Sequence, residues 1–497
     1  RAGLGAAGPA LGVAAALGIA ALVGWHGATA AEPVRGTDAQ AHVAYAEILA
    51  TDGRLPTEEE SYEYASPPAS HWAALQAQRL ADAAAGAVRE VAEGPGSPAG
   101  RVVWLAGLLG AALLLALPGG GRGRRAAGLA LAASVAVLAV LDVAATAAET
   151  RWTVGQAVSL LAVLGLLGVA WALARTLWPE RRFLPLVALG ATAALPIVLR
   201  LGTMFHPEAL FAFLAGCALL IVVRAQAARW PLGHALALGG VLGLSALTRQ
   251  TAAILIVSLG LAVLLAGRRD ALRFVAVTAA ALLLVAGPWW LHQLDRYGNP
   301  IQSNLEREGY MLEDGQPLSF YVSFPARDLV LHPYRPAFEN ELLPKFHADL
   351  WSDWFATRHG SWADPSPAAR LFASTQSVLG LFASAFALVA LVALGARPLA
   401  AAVRGRELDL RSFAFATFLL LAALTWIAFV VTLVRFPQAD GDPIKASYML
   451  FLAPVFAVAA AGLAHELWHA RRTARLALAG WAGLYAVSYA GFLATAF

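Results

Sequence analysis

The chain has 497 residues, 59% of them hydrophobic and 14% charged, with a mean hydropathy of +0.63, which excludes an ordinary soluble enzyme and a disordered chain. A net charge of +4 and a pI near 9.4 do not make it a nucleic-acid binder, because Lys and Arg are scattered through short connectors and form no basic helix or stripe. The single cysteine, Cys217, sits inside an apolar run, so the chain alone can build neither a disulfide framework nor a thiolate metal site.

Apolar runs recur along the chain, each of them able to cross a hydrocarbon core of about 30 Å. They predict an all-α polytopic membrane protein of about thirteen transmembrane helices, near 8–25, 101–117, 126–145, 154–174, 184–200, 207–223, 232–248, 250–266, 272–291, 371–394, 412–434, 446–464 and 476–495. With a cytoplasmic N-terminus, the inner connectors carry arginine clusters such as Arg122, Arg124 and Arg125; Arg175, Arg181 and Arg182; and Arg397, Arg404, Arg406 and Arg411. The short outer connectors hold only Arg151, Arg200, Arg249, Arg435 and Lys445. That alternation supports both the span assignment and the orientation, since cytoplasmic connectors are enriched in Lys and Arg. The first run reads as a retained span, with cleavage after the small residues before Glu32 as the alternative.

Two outer segments are long, 26–100 and 292–370, and the residues able to do chemistry concentrate there. The first predicts two amphipathic interfacial helices. One runs from Asp38 to about Thr51 with Asp38, His42, Tyr45 and Leu49 along one stripe; the other runs from Trp72 to about Glu93 with Leu80, Ala84, Ala87, Val88 and Val91 on one side. The turn-rich acidic connector GRLPTEEESYEYASPP lies between them. The second long segment, rich in Pro, Trp and Tyr without a sustained period, reads as an ordered cap with short helices. No repeat of fixed length occurs.

Several motifs follow one another in a fixed order: Asp38-Ala-Gln-Ala-His42, Gly53-Arg54-Leu55-Pro56, Tyr62-Glu63-Tyr64 followed by Pro67-Pro68, Phe205-His206-Pro207-Glu208 opening a span, and Leu244-Ser-Ala-Leu-Thr-Arg249-Gln ending one. Tyr297-Gly298-Asn299-Pro300, Leu350-Trp351-Ser352-Asp353-Trp354-Phe355 and Lys445-Ala-Ser-Tyr448 complete the series. Together with the topology they resemble the GT-C superfamily of polyprenyl-phosphate-sugar glycosyltransferases, with protein O-mannosyltransferases and lipid A aminoarabinose transferase as familiar members. Many of those relatives carry Glu after the acid and His or Gln before the double proline; this chain has Ala39 and Ala65-Ser66, which predicts a different substrate pocket.

The resemblance implies a catalytic membrane module over 1–291 that includes the first outer loop, a cap over 292–370 and C-terminal transmembrane helices over 371–497. It also implies an inverting transfer of a sugar from a polyprenyl-phosphate donor to a hydroxyl on a protein, lipid or polysaccharide acceptor, at the extracytoplasmic face of the cell membrane. The first loop lacks the DxD pattern of metal-dependent oligosaccharyltransferases, and the lone Asp440-Gly-Asp442 reads as a solvated turn or a metal site, so metal-independent catalysis without a cofactor is the expectation.

The chemistry narrows the candidates further. A phosphate-linked sugar already carries a good leaving group, so what remains is to take a proton from the acceptor hydroxyl and to hold phosphate charge. Asp38 at the interface suits the first task, with His42 orienting it; a helix cap is the plain alternative for Asp38, and interfacial packing for His42. Arg249, Lys445, Arg435 and Arg54 are the candidates for the donor phosphate, alongside Arg79. Tyr62, Glu63, Glu208, Tyr297, Asp353 and Tyr448 are candidate substrate contacts. A transporter or flippase is the rival class, disfavoured by charge-free span centres and the absence of repeats.

Overall fold

The computed structural model describes residues 4–29, 32–34, 38–89, 151–266, 269–305, 311–334, 341–352, 366–438 and 443–496. Among them the secondary structure is helical, with one isolated antiparallel bridge between Met311 and Gln438 and no named strand. In chain order the helices are α1 Leu4–Thr29, α2 Ala39–Thr51, α3 Ala69–Arg89, α4 Thr153–Leu177, α5 Leu184–Ala193, α6 Pro196–Gly202, α7 Pro207–Ala227, α8 Leu232–Ala246, α9 Ala252–Leu265 and α10 Arg269–Tyr297. Short helices α11 Leu318–Val322, α12 Ala326–Leu331 and α13 Leu342–Trp351 follow. The chain closes with α14 Pro367–Val403, α15 Leu410–Arg435, a 3₁₀ segment Ala446–Leu452, α16 Ala453–Ala470 and α17 Arg472–Ala496.

Every expected span within the described residues has a helix at its place, and the protein is a multi-pass membrane protein. Among the described residues, six helices are long and apolar enough to cross a membrane, or seven if the bent pair α5–α6 counts as one span. The expected spans 101–117 and 126–145 lie outside the described residues. α8 and α9, 15 and 14 residues long, are shorter than a full crossing, so the count of thirteen is not reproduced by length alone. The bend of 68° between α5 and α6 follows from Leu195, extended at ψ 116° ahead of Pro196.

One apolar core runs through the bundle. α4 packs on α7, α5 and α1; α8 packs on α10 and α7; α14 packs on α15, α17 and α16. α16 is central, with 78% of its apolar window buried, whereas the windows of α10 and α14 are 28% and 22% buried and present residues such as Leu284 and Phe382 outward to the lipid. The tightest crossing is α8 on α10. A Cβ at Gly239 would strike the Thr278 carbonyl and one at Gly243 would lie 2.5 Å from Val285 Cβ, so this small-xxx-small pair lets the two backbones touch. The Thr278 hydroxyl donates to the Ala235 carbonyl across the same crossing at 3.2 Å.

The first outer loop is docked, not splayed on the bundle. The indole of Trp152, at the start of α4, donates to Glu47 on α2 (2.6 Å), and its backbone amide donates to Gln78 on α3 (3.1 Å). The Ala69 amide donates to the Leu247 carbonyl at the end of α8 (2.8 Å). The stripe expected on α2 is confirmed at His42 and Tyr45, both buried. On α3 the expected face is corrected at Leu80, which is 72% exposed, while the side chains of Ala84, Ala87, Val88 and Val91 lie outside the described residues; the buried stripe is His71, Ala74, Leu75, Gln78 and Ala81. The reason is that α3 packs against α2 and α4 through a mixed polar and apolar face instead of presenting its most apolar side.

Candidate active site

Asp38 stands at the first residue before α2 with φ 60° and ψ −1°, a left-handed conformation that Asp tolerates better than most residues. Its carboxylate makes no hydrogen bond to the helix amides, so the capping role left open by the sequence is not the one it plays. It accepts instead from Lys445 Nζ at 2.7 Å. Lys445 is itself buried and precedes the 3₁₀ segment that begins with Ala446. Burial pushes the Asp38 carboxyl up, but the Lys445 ammonium and nearby His206 outweigh it and hold the group below the usual carboxylate range.

Beside this pair lies a second one. Arg249, in the turn between α8 and α9, forms an ion pair with Glu208, Nη2 to Oε1 at 2.6 Å, and lies 3.7 Å from Glu63 Oε2. Pro207 and Glu208 open α7, where a fixed φ and a negative charge both suit a helix N-terminus. His206 closes on the other oxygen of Glu208, and Ser66 donates to Glu63. Tyr448 joins the two cations: the Arg249 guanidinium stands 5.5 Å from its ring centroid and the Lys445 ammonium 6.0 Å.

His42 is not hydrogen-bonded to Asp38. Its Nδ1 shares a hydrogen bond with His71 Nε2 at 3.1 Å, its ring meets His206 edge-on at 5.0 Å, and His71 stacks on Tyr45 at 3.9 Å. Burial, with the charge of His206 adding to it, pushes the His42 imidazole down to about 3, and burial likewise holds His71 well below its usual value. Both rings are therefore neutral near pH 7. Burial raises the Glu63 carboxyl, with Arg249 only partly opposing it.

The remaining candidates fall into two groups. Tyr62, Tyr297 and Asn304 border the cluster: Asn304 donates weakly to the Tyr62 carbonyl and to Glu63, both at 3.4 Å, and Tyr297 meets Tyr64 edge-on at 5.8 Å. Arg54 is corrected to a surface role, 46% exposed and bound to Glu60 (2.6 Å) and Asp52 (3.0 Å). The exposed Arg435 lies over Phe436 at 5.3 Å, and Arg79 is exposed on α3. Asp353, Asp440 and Asp442 lie outside the described residues. Among the described residues, no group of three His, Cys, Asp or Glu side chains is arranged as a metal site.

Sequence reasoning missed His71, His206 and Asp349. Asp349, on α13 of the cap, accepts from Arg200 at 2.7 Å and from the Ala446 amide at 2.6 Å, which pins the backbone next to Lys445. Only the placement of His206 before Glu208 in the span-opening motif carried a signal; His71 and Asp349 occupy positions that no local spacing marks.

No family model and no curated protein matches the chain. Among solved structures it is similar to ArnT from Cupriavidus metallidurans in the apo state, with 14% identity over 90% of this chain and 76% of that one and a TM-score of 0.36. It is similar also to the same protein bound to undecaprenyl phosphate, with 14% identity over 90% and 77% of the two chains and a TM-score of 0.35.

Proposed function

We propose that the protein is an integral-membrane inverting glycosyltransferase that moves a sugar from a polyprenyl-phosphate donor to a hydroxyl acceptor, with Asp38 as general base. The observation that carries this reading is the meeting of a non-capping carboxylate, Asp38, with two cations, Lys445 and Arg249, at one end of a helical membrane bundle. A lipid-borne donor and a water-borne acceptor meet only at such an end.

The donor is a phosphodiester with one negative charge, and the polyprenyl phosphate that leaves carries a second. Arg249 and Lys445 therefore stabilise the transition state more than the bound donor, which is what acceleration requires. The acceptor hydroxyl gives its proton to Asp38 while its oxygen attacks the anomeric carbon. The bond from that carbon to the phosphate oxygen breaks with its electron pair, and the configuration inverts. Lys445 couples the two tasks. As long as it holds Asp38, the carboxylate is a weak base; when a donor phosphate draws the ammonium away, burial is opposed less and Asp38 becomes a stronger one.

The test is the release of labelled polyprenyl phosphate by Asp38→Asn. The amide cannot take the proton, so turnover should drop by roughly 10² to 10⁴-fold, with donor affinity and elution volume retained. A folded Asp38→Asn protein that turns over at the wild-type rate would sink the assignment of the base.

A further inference from the structure

The two outer segments present different surfaces. The connector between α2 and α3 exposes Glu58, Glu59 and Glu60, as a face in water does. The cap does the opposite over α11 and α12. From Leu318 to Leu331 its only charged residues are Arg327 and Asp328, and it exposes Leu318 (76%), Val322 (62%), Phe324, Val330 and Leu331. Large apolar side chains gathered in this way mark an interaction surface.

The inner side of the same segment is fully docked. Phe320 joins the main core, and Leu329 packs with Ala348 of α13, all three buried. Leu318 and Val322, one turn apart, therefore lie on the side of α11 away from the core. α11 packs on α13, and α12 packs on α14.

What covers the outer side follows from depth. The Trp351 indole at the end of α13 donates to Ser384 Oγ at 2.9 Å, and Ser384 lies 17 positions after Pro367, about 25 Å along α14. Phe346 of α13 meets Trp426 edge-on at 5.4 Å, well inside α15. The cap thus lies beside the spans and not above them. α12 abuts α14, whose exposed Leu371 and Phe382 belong to a largely unburied apolar span, so the exposed side of α11 and α12 continues a lipid-facing surface. Non-helical backbone is not tolerated against lipid in the hydrocarbon core, which limits the depth to the boundary between headgroups and acyl chains. Pro317 and Pro325, ahead of the two helices, each remove one N–H that would need a partner there. Arg327, exposed one turn before Leu331, is placed to reach lipid phosphates.

We propose that α11 and α12 form a membrane-docking surface of the cap, seating Leu318, Val322, Phe324, Val330 and Leu331 at the headgroup boundary of the leaflet on that side. Ser319, on the flank of the Leu318 and Val322 stripe, stays at its aqueous edge. Because Asp349 of α13 holds the Ala446 amide next to Lys445, this docking ties the acid cluster to the bilayer. It depends on where the cap sits against the spans and not on the reaction.

The experiment places a bimane probe on Val322→Cys, and separately on Leu331→Cys, in a full chain carrying Cys217→Ala and reconstituted in phosphatidylcholine nanodiscs. Both side chains are exposed, so neither probe displaces core packing, and a probe on the exposed Glu59→Cys is the water-facing reference. Phosphatidylcholine spin-labelled near the headgroup should quench both cap probes, the same lipid labelled at the acyl terminus should quench them less, and aqueous iodide should quench chiefly the reference. Emission from the cap probes should be shifted to the blue of the reference. If iodide quenches the cap probes as it does the reference and the spin-labelled lipids leave them bright, the face is turned to water and the inference falls. If neither quencher reaches them, a protein surface such as a second copy of the chain covers the face, and the inference falls as well. Turnover is not read, so either failure leaves the glycosyltransferase reading standing.

Discussion

At the scale of single residues, the ion pairs change what a substitution means. Arg249→Ala removes the proposed phosphate ligand and also leaves Glu208 buried without its cation, a loss worth roughly 3–5 kcal/mol in stability when one partner of a buried pair is removed. The informative variant is therefore Arg249→Met with Glu208→Gln. That protein should recover much of the lost thermal stability and still bind the donor about 10- to 100-fold more weakly, because a charge-assisted hydrogen bond is worth roughly 1.5–3 kcal/mol. Full donor affinity in the double variant would move the phosphate site away from Arg249. The neutral histidines give a pH test. An unfolded chain protonates its histidines below about 6.5, whereas burial delays His42 to about 3. Between those values the unfolded state binds the extra proton, so stability falls as pH falls, by at most about 1.4 kcal/mol per pH unit for each such ring. Detergent-solubilised protein should lose melting temperature steadily from pH 6.5 to 4.5, and His42→Phe should flatten that slope. Residue identity was readable in the sequence for Asp38, Glu63, Glu208, Arg249, Lys445 and Tyr448, all of which meet in the fold. The partners were not, because His42 pairs with His71 across 29 positions and Asp38 with Lys445 across 407, separations over which no local spacing speaks.

At the scale of elements, the helices follow from apolar run length, and their errors follow from what run length omits. The stripe of α2 was legible because its polar members, His42 and Tyr45, sit at helical spacing. The face of α3 was not, because it buries His71 and Gln78 against partners and leaves Leu80 outside. The cap helix α13 carries the strongest element-level consequence. Asp349 joins Arg200 at the end of the bent α5–α6 pair to the amide of Ala446, so the cap sets the position of Lys445 without touching Asp38. Asp349→Ala should lower the melting temperature, again on the order of 3–5 kcal/mol, and should weaken turnover with it. Arg200→Ala combined with Asp349→Ala should restore stability more than activity. Full activity in Asp349→Ala would show that Lys445 needs no such anchor.

At the scale of the whole molecule, the bundle brings Asp38, Glu208, Arg249 and Lys445 to one end, the end that the arginine alternation assigns to the outside. Cysteines at Ser319, exposed in the cap, and at Arg406, exposed in the connector between α14 and α15, test that sidedness. In intact cells a membrane-impermeant thiol reagent should modify Ser319→Cys and leave Arg406→Cys untouched, and the reverse pattern would invert the orientation.

The pairing of Asp38 with Lys445 also has a consequence in time. A ribosome adding roughly 5–20 residues each second needs roughly 20–80 s to pass from the first member of the pair to the second, which lies 407 positions on. During that interval the acid has been delivered to its side of the membrane and its cation has not yet been made. A nascent chain thus carries an unneutralised carboxylate at a low-dielectric boundary until α15 has been threaded and the connector after it released. Synthesis halted anywhere before Lys445 therefore yields a product with no completed site.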